Sequence, residues 1–351
     1  MYRGMNLHTI VYLDQNYLSN MAKAQHGYIT NENEAIFWGS LFDDLKRVVL
    51  VDRVACPEAE FHLIEAKYDK RLLKPIIEVI KTLSGGLQLR PWKNILETQI
   101  ENAARQFLGK QPEKRNDWSI AFESNPKSKY MDRIQDIKHA KIINYIHLPL
   151  TNDDIEHERQ LKLGFRGQEQ KMLEEYSRKP FGWPELLLDS KKGVIDGFIG
   201  KLAEQSIYEK LEGDYPLEDK LIAKNDYTRL KNLWNRIHLI GIDPKDDKIV
   251  NNFVRSKELL DSPYVDVNAS IWAAIARTYQ GGEPSKGDFY DVPILASALP
   301  YCDIVTTDKS MKGILVNILH FDDKYKSKIF SASEADRLAF QKLIKGLLDN
   351  T

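Results

Sequence analysis

Two short apolar runs, placed near opposite ends of the chain, each end in an aspartate. The first is TIVYLD, which ends at Asp14, and the second is DIVTTD, which ends at Asp308. Both runs are rich in β-branched or aromatic residues, which favour strands. Each run is followed by a segment suited to a helix. Alternation of strands and helices predicts a parallel sheet covered by helices.

The chain is long enough for such a domain to carry an insertion. At 351 residues it exceeds the usual size of one compact domain. Residues 71–260 have mainly helical patterns, whereas the flanking segments alternate strands and helices. We therefore predict an α/β domain assembled from residues 1–70 and 261–351, and a mainly α-helical insertion of residues 71–260.

Local patterns place the other elements of the α/β domain. The apolar run RVVLVDRVAC, residues 47–56, predicts a second strand, and Pro57 fits the first turn of a helix after it. Residues 288–300 have an apolar helix pattern directly before the DIVTTD strand. KSKIFSA and EADRLAFQKLIKGLL then predict a further strand and a closing helix.

Composition excludes several classes of protein. The formal net charge of −1 excludes a globally basic nucleic-acid binder, although a local basic surface remains compatible with it. Two cysteines, Cys56 and Cys302, argue against a disulfide scaffold or a four-cysteine zinc site and fit a reducing compartment. The start of the chain lacks a signal-peptide pattern, and no apolar run approaches about 18 residues. We therefore expect a cytoplasmic protein with no membrane association.

Three aspartates are expected at one edge of the predicted sheet. In open α/β sheets, sites form beyond the carboxyl ends of the strands, which is where Asp14 and Asp308 lie. Asp291 occupies the first turns of the helix before the second of these strands. Converging carboxylates repel each other unless a cation compensates their charge, and oxygen ligands suit Mg²⁺ or Mn²⁺. The pattern therefore predicts a divalent metal site, which can promote phosphodiester hydrolysis.

The segments around these aspartates resemble two motifs of the PIN-domain nucleases. YLDQNYLS is similar to the opening strand and D-x-N signature of that family, with Asp14 at the metal position and Asn16 at the supporting one. DVPILASALPYCDIVTTDKSM resembles the closing half of the family's site. There Asp291 opens an alanine-rich helix, and Asp308 ends the last strand of the motif. The helical middle of the chain lies outside the resemblance.

The resemblance implies a metal-dependent nuclease that favours RNA over DNA and binds Mg²⁺ or Mn²⁺. The implied catalytic residues, which would also hold the metal, are Asp14, Glu65, Asp291 and Asp308. Asp288, one helical turn before Asp291, is a further candidate metal ligand or a helix cap.

The second acid of the set is the least certain in position. The resemblance implies a glutamate on the helix after the second strand, where Glu58, Glu60 and Glu65 all lie. We favour Glu65, because the spacing P-x-x-x-x-H-x-x-E is similar to a variant of some PIN-like proteins. Glu58 and Glu60 stay open as alternatives.

Four residues are candidates to support the acids. Asn16 could brace a ligand or begin the helix after the first strand. His62 is a candidate metal ligand or acid–base group, and alternatively a hydrogen-bonded structural residue. Thr306 and Thr307 could bind a phosphate or order a water molecule, although residues of this type are also common in strands.

A local basic segment could attract a nucleic acid. Residues 66–141 hold 16 Lys and Arg against 9 Asp and Glu, a net charge of +7, and they also include several aromatic residues. Such residues can grip phosphates and stack on bases, but they also fit solvated helix faces and a packed core. The candidate nucleic-acid-binding residues are Lys67, Lys70, Arg71, Lys114, Arg115, Lys127 and Lys129.

Two other interpretations stay open. Arg133 and His139 have an R-x5-H spacing similar to the motif of HEPN ribonucleases, which cut RNA without metal. The chain could instead be a catalytically silent PIN-like scaffold that binds a protein or RNA partner through its insertion. Either interpretation is compatible with a partner protein or a homo-oligomer.

Overall fold

The structure is a computed structural model that describes most of the chain. It covers residues 9–60, 62, 70–113, 118–124, 173–175, 177–178, 181–213, 215, 217–278 and 288–349. Glu65, Lys67, Lys114, Arg115, Lys127, Lys129, Arg133 and His139 lie outside the described residues. Of Lys70 and Asp288, only the backbone is described.

Six strands form two sheets in the described residues. They are β1 (Thr9–Tyr12), β2 (Val54–Ala55), β3 (Leu87–Leu89), β4 (Phe122–Ser124), β5 (Ile304–Thr307) and β6 (Lys328–Ser331). Four of them make a parallel sheet in the order β2-β1-β5-β6, and β3 pairs antiparallel with β4. The prediction that both chain ends contribute to one parallel sheet flanked by helices is confirmed. The finer PIN-like assignment stays a prediction.

Helices make up most of the remaining described structure. In chain order they are α1 (Gln15–Gln25), α2 (Glu32–Leu50), α3 (Lys70–Ser84), α4 (Trp92–Phe107), α5 (Trp118–Ala121), α6 (Trp183–Ile199), α7 (Lys201–Glu212), α8 (Leu217–Ile240), α9 (Asp247–Val254), α10 (Lys257–Leu260), α11 (Pro263–Thr278), α12 (Asp288–Ala298), α13 (Lys309–Lys312), a π-helical segment (Gly313–Ile318), α14 (Phe321–Tyr325) and α15 (Glu334–Asp349). None of these helices combines the length and apolar character needed to cross a membrane.

The second strand is much shorter than predicted. The first residues of the run RVVLVDRVAC belong to the last turn of α2, and only Val54–Ala55 form a strand. The helical period wins here because Leu41, Leu45 and Val48 lie on one face of α2 and are fully buried. An apolar run alone does not separate a buried helix end from a strand.

The helix predicted to begin at Pro57 begins later. The backbone of Glu58 pairs with the segment of β3: its N–H donates to the carbonyl of Leu87 (3.0 Å), and the N–H of Leu89 donates to its carbonyl (2.7 Å). This pairing holds Glu58 in an extended conformation, and helical residues begin at Glu60.

The parallel sheet separates two hydrophobic cores, because successive side chains of a strand point to opposite faces. Tyr12, Val305 and Ile329 lie in a first core that also contains the helices of the insertion. Val11 and Ile304 lie in a second core with α1, α2, α3 and α15. Helix α3 was predicted to open the insertion, but its packing places it with the sheet.

A buried ion network joins the insertion to the segment between β5 and β6. The Lys191 ammonium of α6 lies 3.0 Å from Oδ1 of Asp261 and 3.0 Å from Oδ1 of Asp266. The other oxygen of Asp266 accepts hydrogen bonds from Lys324 (2.6 Å) and from the Tyr325 hydroxyl (2.7 Å) of α14. Burial alone would favour the protonated form, but these hydrogen bonds hold the pKa of Asp266 below its usual value.

Removing the buried carboxylate of this network should destabilise the protein far more than removing the exposed one. The Asp266 side chain is 7% exposed and that of Asp261 is 52% exposed, although both contact the same ammonium at the same distance. We expect Asp266→Ala to cost roughly 3–5 kcal/mol, because it leaves a buried lysine without its main partner. Asp261→Ala should cost at most about 1 kcal/mol.

The check is the free energy of unfolding of both variants and the parent in urea. Equal losses in the two variants would show that burial does not set the strength of this network.

Candidate metal centre

Asp14 lies where β1 gives way to α1. It is the N-cap of α1, with an extended backbone (φ −64°, ψ 156°). Its Oδ2 atom accepts hydrogen bonds from the backbone N–H (3.3 Å) and the side-chain amide (2.9 Å) of Asn16. Asn16 therefore braces the Asp14 carboxylate, and the cap role that we considered for Asn16 belongs to Asp14.

Thr306 fixes the backbone of Asp14. Its buried hydroxyl accepts the N–H of Asp14 (2.7 Å) and donates to the carbonyl of Tyr12 (3.3 Å). The hydroxyl thus joins β5 to the turn after β1 with both of its hydrogen bonds inside the fold. Thr307 is also a buried strand residue. These positions do not support the prediction that the two threonines bind a phosphate.

His62 holds the same turn from the other side. Its Nε2–H donates to the carbonyl of Leu13 (2.8 Å), and its Nδ1 accepts the N–H of Ala59 (3.3 Å). The imidazole stacks on Tyr12 with ring centroids 5.3 Å apart, and burial lowers its pKa to about 4. The ring is neutral at pH 7 and uses both nitrogens within the fold. The geometry therefore fits the hydrogen-bonded structural alternative for His62, since neither ring nitrogen is free for a metal ion or a substrate.

Asp308 lies at the end of the neighbouring strand. It is the N-cap of α13, and its Oδ1 accepts the N–H of Met311 (2.9 Å). The register of β1 with β5 pairs Tyr12 with Val305, so both aspartates lie beyond the carboxyl ends of adjacent parallel strands. The two residues that begin and end the predicted site are therefore neighbours across the sheet edge.

The charged form of Asp14 is destabilised at this edge. Burial raises its pKa above the usual value, and the negative charge of Asp308 adds to the effect. Hydrogen bonds from Asn16 and Gln15 oppose the shift without cancelling it. Within the described residues, neither Asp14 nor Asp308 forms an ion pair with a lysine or arginine. A cation at this edge would relieve both costs.

A further aspartate, which no sequence pattern indicates, lies near the end of β6. Asp336 accepts the N–H of Ser331 (2.9 Å) through Oδ2, and its Oδ1 lies 2.7 Å from the Lys312 ammonium. Although partial burial opposes it, this contact with Lys312 helps to keep the pKa of Asp336 below its usual value. Asp336 lies outside any strand-end motif, so only the fold reveals it. Lys312 compensates the charge of Asp336, whereas no lysine or arginine of the described residues pairs with Asp14.

Of the other predicted ligands, only Asp291 has a described side chain, and it does not form a metal-holding group with Asp14 and Asp308. Asp291 is half-buried in the first turn of α12. Across the described part of the chain, no three His, Cys, Asp or Glu side chains lie close enough to hold a metal ion together. Since Glu65 and the side chain of Asp288 lie outside that part, the complete ligand set stays a prediction.

The two alternatives to Glu65 have structural roles. Glu58 is buried beside β3, and burial raises its pKa although Lys81 opposes the shift. Burial also raises the pKa of Glu60, whose carboxylate accepts the N–H of Trp92 at the start of α4. Glu65 lies outside the described residues, so the choice among Glu58, Glu60 and Glu65 as the second acid stays a prediction.

The chemistry of the donor atoms fits a hard cation. Asp14 and Asp308 supply carboxylate oxygens, which Mg²⁺ and Mn²⁺ prefer. Gln15, the first residue of α1, has a buried Oε1 atom with no hydrogen-bond partner among the described atoms. This oxygen can still accept a hydrogen bond or bind a cation, and it belongs to the residue that directly follows Asp14. The oxygen atoms at this edge are of the type that a divalent ion such as Mg²⁺ would use.

The described part of the basic segment is largely engaged within the protein. Lys93 binds Asp226 (2.7 Å), Arg105 binds Glu113 (3.0 Å), and Arg90 donates to the carbonyl of Ile120 (3.2 Å). Trp92 stacks on Tyr264, and Phe107 packs on Phe253. For these residues the packed-core interpretation is confirmed. Among the candidate nucleic-acid contacts, only Arg71 has a described side chain, which is exposed on α3.

Comparisons of the chain with protein-family models, with curated proteins and with solved structures find no match. The function must therefore be argued from the residues at the sheet edge.

The pKa of His62 predicts a specific dependence of stability on pH. Its folded value of about 4 is below the ordinary value of 6.5, so the neutral ring stabilises the folded protein fully above pH 6.5. This contribution is lost as the pH falls towards 4. The loss amounts to about 3 kcal/mol over this window, at about 1.36 kcal/mol per pKa unit.

We expect the free energy of unfolding of the parent protein to fall more steeply between pH 6.5 and 4.5 than that of His62→Gln. The measurement is urea unfolding at several pH values. Parallel curves for the two proteins would contradict the buried, neutral imidazole.

Proposed function

We propose that the protein is a divalent-metal-dependent nuclease that hydrolyses phosphodiester bonds, with RNA favoured over DNA. The observation that carries the proposal is the position of Asp14 and Asp308 at the carboxyl ends of two adjacent parallel strands. Burial and the charge of Asp308 raise the pKa of Asp14, and no lysine or arginine of the described residues pairs with its carboxylate, which supports the proposal. The preference for RNA rests on the resemblance of the flanking motifs to PIN-domain nucleases.

The groups around the pair hold it in place. Asn16 and the N–H of Met311 fix the orientation of the two carboxylates. Thr306 and His62 fix the backbone on either side of Asp14. Side chains restrained in this way are preorganised, so little conformational freedom is lost when a ligand binds.

Asp14 and Asp308 would hold Mg²⁺ or Mn²⁺, with Glu65, Asp288 and Asp291 as the further proposed ligands. When bound, such an ion supplies an activated water and stabilises charge on a phosphodiester. We propose that Lys67, Lys70, Arg71, Lys114, Arg115, Lys127 and Lys129 attract the nucleic acid. A cytoplasmic location is part of the proposal, in keeping with two buried free thiols, Cys56 and Cys302.

Neutralising either aspartate should abolish cleavage without unfolding the protein. We expect Asp14→Asn and Asp308→Asn to lose about 100-fold or more of the activity, because each removes a charged ligand but keeps the helix cap. The measurement is cleavage of labelled single-stranded RNA and DNA with Mn²⁺, with Mg²⁺ and with EDTA.

Asp303→Asn is the matched control. Asp303 lies at the opposite end of β5, is exposed, and accepts the N–H of Ile10 through Oδ2 (2.7 Å). This variant should cleave as the parent does. Cleavage that persists in Asp14→Asn would overturn the proposal. Cleavage that survives EDTA and is lost in His139→Ala would move the chemistry to the insertion.

The melting temperature of Asp14→Asn, compared with that of the parent, should also distinguish a nuclease from a silent scaffold. The raised pKa of Asp14 means that its charge destabilises the folded protein once the pH rises above that pKa. Asp14→Asn should therefore melt at a higher temperature than the parent at pH 7 without metal. Mn²⁺ should raise the melting temperature of the parent and of Asp303→Asn, but not that of Asp14→Asn.

A parent protein whose melting temperature does not respond to Mn²⁺, and which cuts no substrate, would favour the scaffold hypothesis.

A further inference from the structure

Among the described strands, β6 is the last of the parallel sheet, and a cleft lies on each side of that edge. The first cleft, of about 470 Å³, lies between β6 and the segment from α13 to α14. The second, of about 500 Å³, lies between β6 and α15. Lys328 and Phe330 line both clefts. Since Ile329 packs in the first core and Phe330 against the second, the clefts open on opposite faces of the sheet.

Only one residue of β6, Ile329, has backbone N–H and C=O groups that a further strand could pair with. The N–H of Lys328 donates to the carbonyl of Asp303 (2.8 Å), and the register pairs Ile304 with Lys328. Because backbone groups alternate in direction along a strand, Lys328 and Phe330 face β5, and Ile329 faces the open edge. The outward N–H of Ser331 is already bound by Asp336. The amino-terminal half of β6 is therefore the part that another strand can reach.

The charges around the edge favour an acidic ligand. Four lysines line the clefts, namely Lys312, Lys326, Lys328 and Lys342, and the acids in the lining are Asp322 and Asp323. Lys312 is paired with Asp336, but the ammonium groups of the other three have no hydrogen bond or ion pair among the described residues. These three cations are available to carboxylates of a bound partner.

The two clefts differ in character. The second is mostly apolar, with Ala339, Leu343, Gly346 and Leu347 between its lysines. The first is polar and contains Asp322, whose Oδ1 atom is buried without a hydrogen-bond partner among the described atoms. That oxygen could accept an N–H from a ligand. Side chains that alternate between apolar and acidic would match the two clefts in turn.

We propose that the open edge of β6 binds an extended segment of another protein, in which acidic and apolar residues alternate. The backbone of the segment would pair with Ile329 and add a strand to the sheet. Its apolar side chains would enter the cleft beside α15, and its acidic side chains would reach Lys326 and Lys328. This proposal is independent of the nuclease chemistry, because none of its residues belongs to the candidate metal centre.

A peptide fits this edge better than a nucleic acid does. Strand addition uses alternating N–H and C=O groups, which a peptide backbone presents at the spacing of β6 and a sugar–phosphate backbone does not.

The test measures binding of a short labelled peptide in which Glu and Leu alternate, by fluorescence polarisation with the full chain. We expect saturable binding that protects the Ile329 amide from hydrogen exchange. The double variant Lys326→Glu/Lys328→Glu should bind about tenfold more weakly, because two attractive pairs become repulsive. Lys231→Glu, an exposed change on α8 outside both clefts, is the matched control and should bind as the parent does.

A second peptide, N-methylated on alternate residues, tests the backbone pairing. It keeps every charge but cannot form the ladder, so we expect it to lose binding. The proposal is overturned if the N-methylated peptide binds equally, if the double variant binds as well as Lys231→Glu, or if the parent binds no peptide. It is also overturned if single-stranded RNA displaces the peptide from β6, or if sedimentation shows that the chain dimerises through this edge.

Discussion

The pairing of β1 with β5 is the contact on which both the fold and the candidate site depend. It joins segments that are far apart in sequence, and the Thr306 hydroxyl strengthens it by binding Asp14, 292 residues away. The entropic cost of closing such a long loop grows only slowly with length, so a large insertion between the strands is tolerated. Register matters more. A slip of one residue would exchange Val11 and Tyr12 between the two cores and move Asp14 away from Asp308.

Two carboxylates at the sheet edge, those of Asp336 and Asp14, have different electrostatic surroundings. Asp336 is paired with Lys312 and bound by Ser331, so the chain itself compensates its charge. Asp14 has hydrogen bonds from Asn16 but no described cationic partner, and its pKa is raised by burial and by Asp308. Folding stability alone would favour a cationic partner, such as Lys312 provides for Asp336, at both positions. The carboxylate of Asp14, uncompensated among the described residues, is the feature on which the proposed metal site rests.

The sequence predicts the elements that obey a single local rule, and it fails where tertiary packing competes. The strands that end near Asp14 and Asp308 were identified because β-branched runs and strand-end acids occur together, and the structure pairs them in parallel. The strand predicted for RVVLVDRVAC is wrong in its first half, because those residues complete α2. Over so few residues, the apolar pattern of a helix end does not differ from that of a strand. His62 and Thr306 were recognised as neighbours of the site, but their roles depend on the carbonyls of Leu13 and Tyr12, which no sequence pattern reveals.

The insertion is fixed to the sheet domain, and this limits how its positive charge can be used. Lys191, Asp266 and Lys324 connect α6 and α11 to α14 through a network that is mostly buried. Within residues 66–141, Lys93 and Arg105 form ion pairs with acidic residues of the same chain, and Lys110 donates to the carbonyl of Ile240. A net charge of +7 therefore overstates the cations of this segment that a phosphate backbone could reach. If the segment attracts nucleic acid, the attraction must come from the basic residues that no internal acid compensates, and a salt dependence shallower than the net charge suggests would follow.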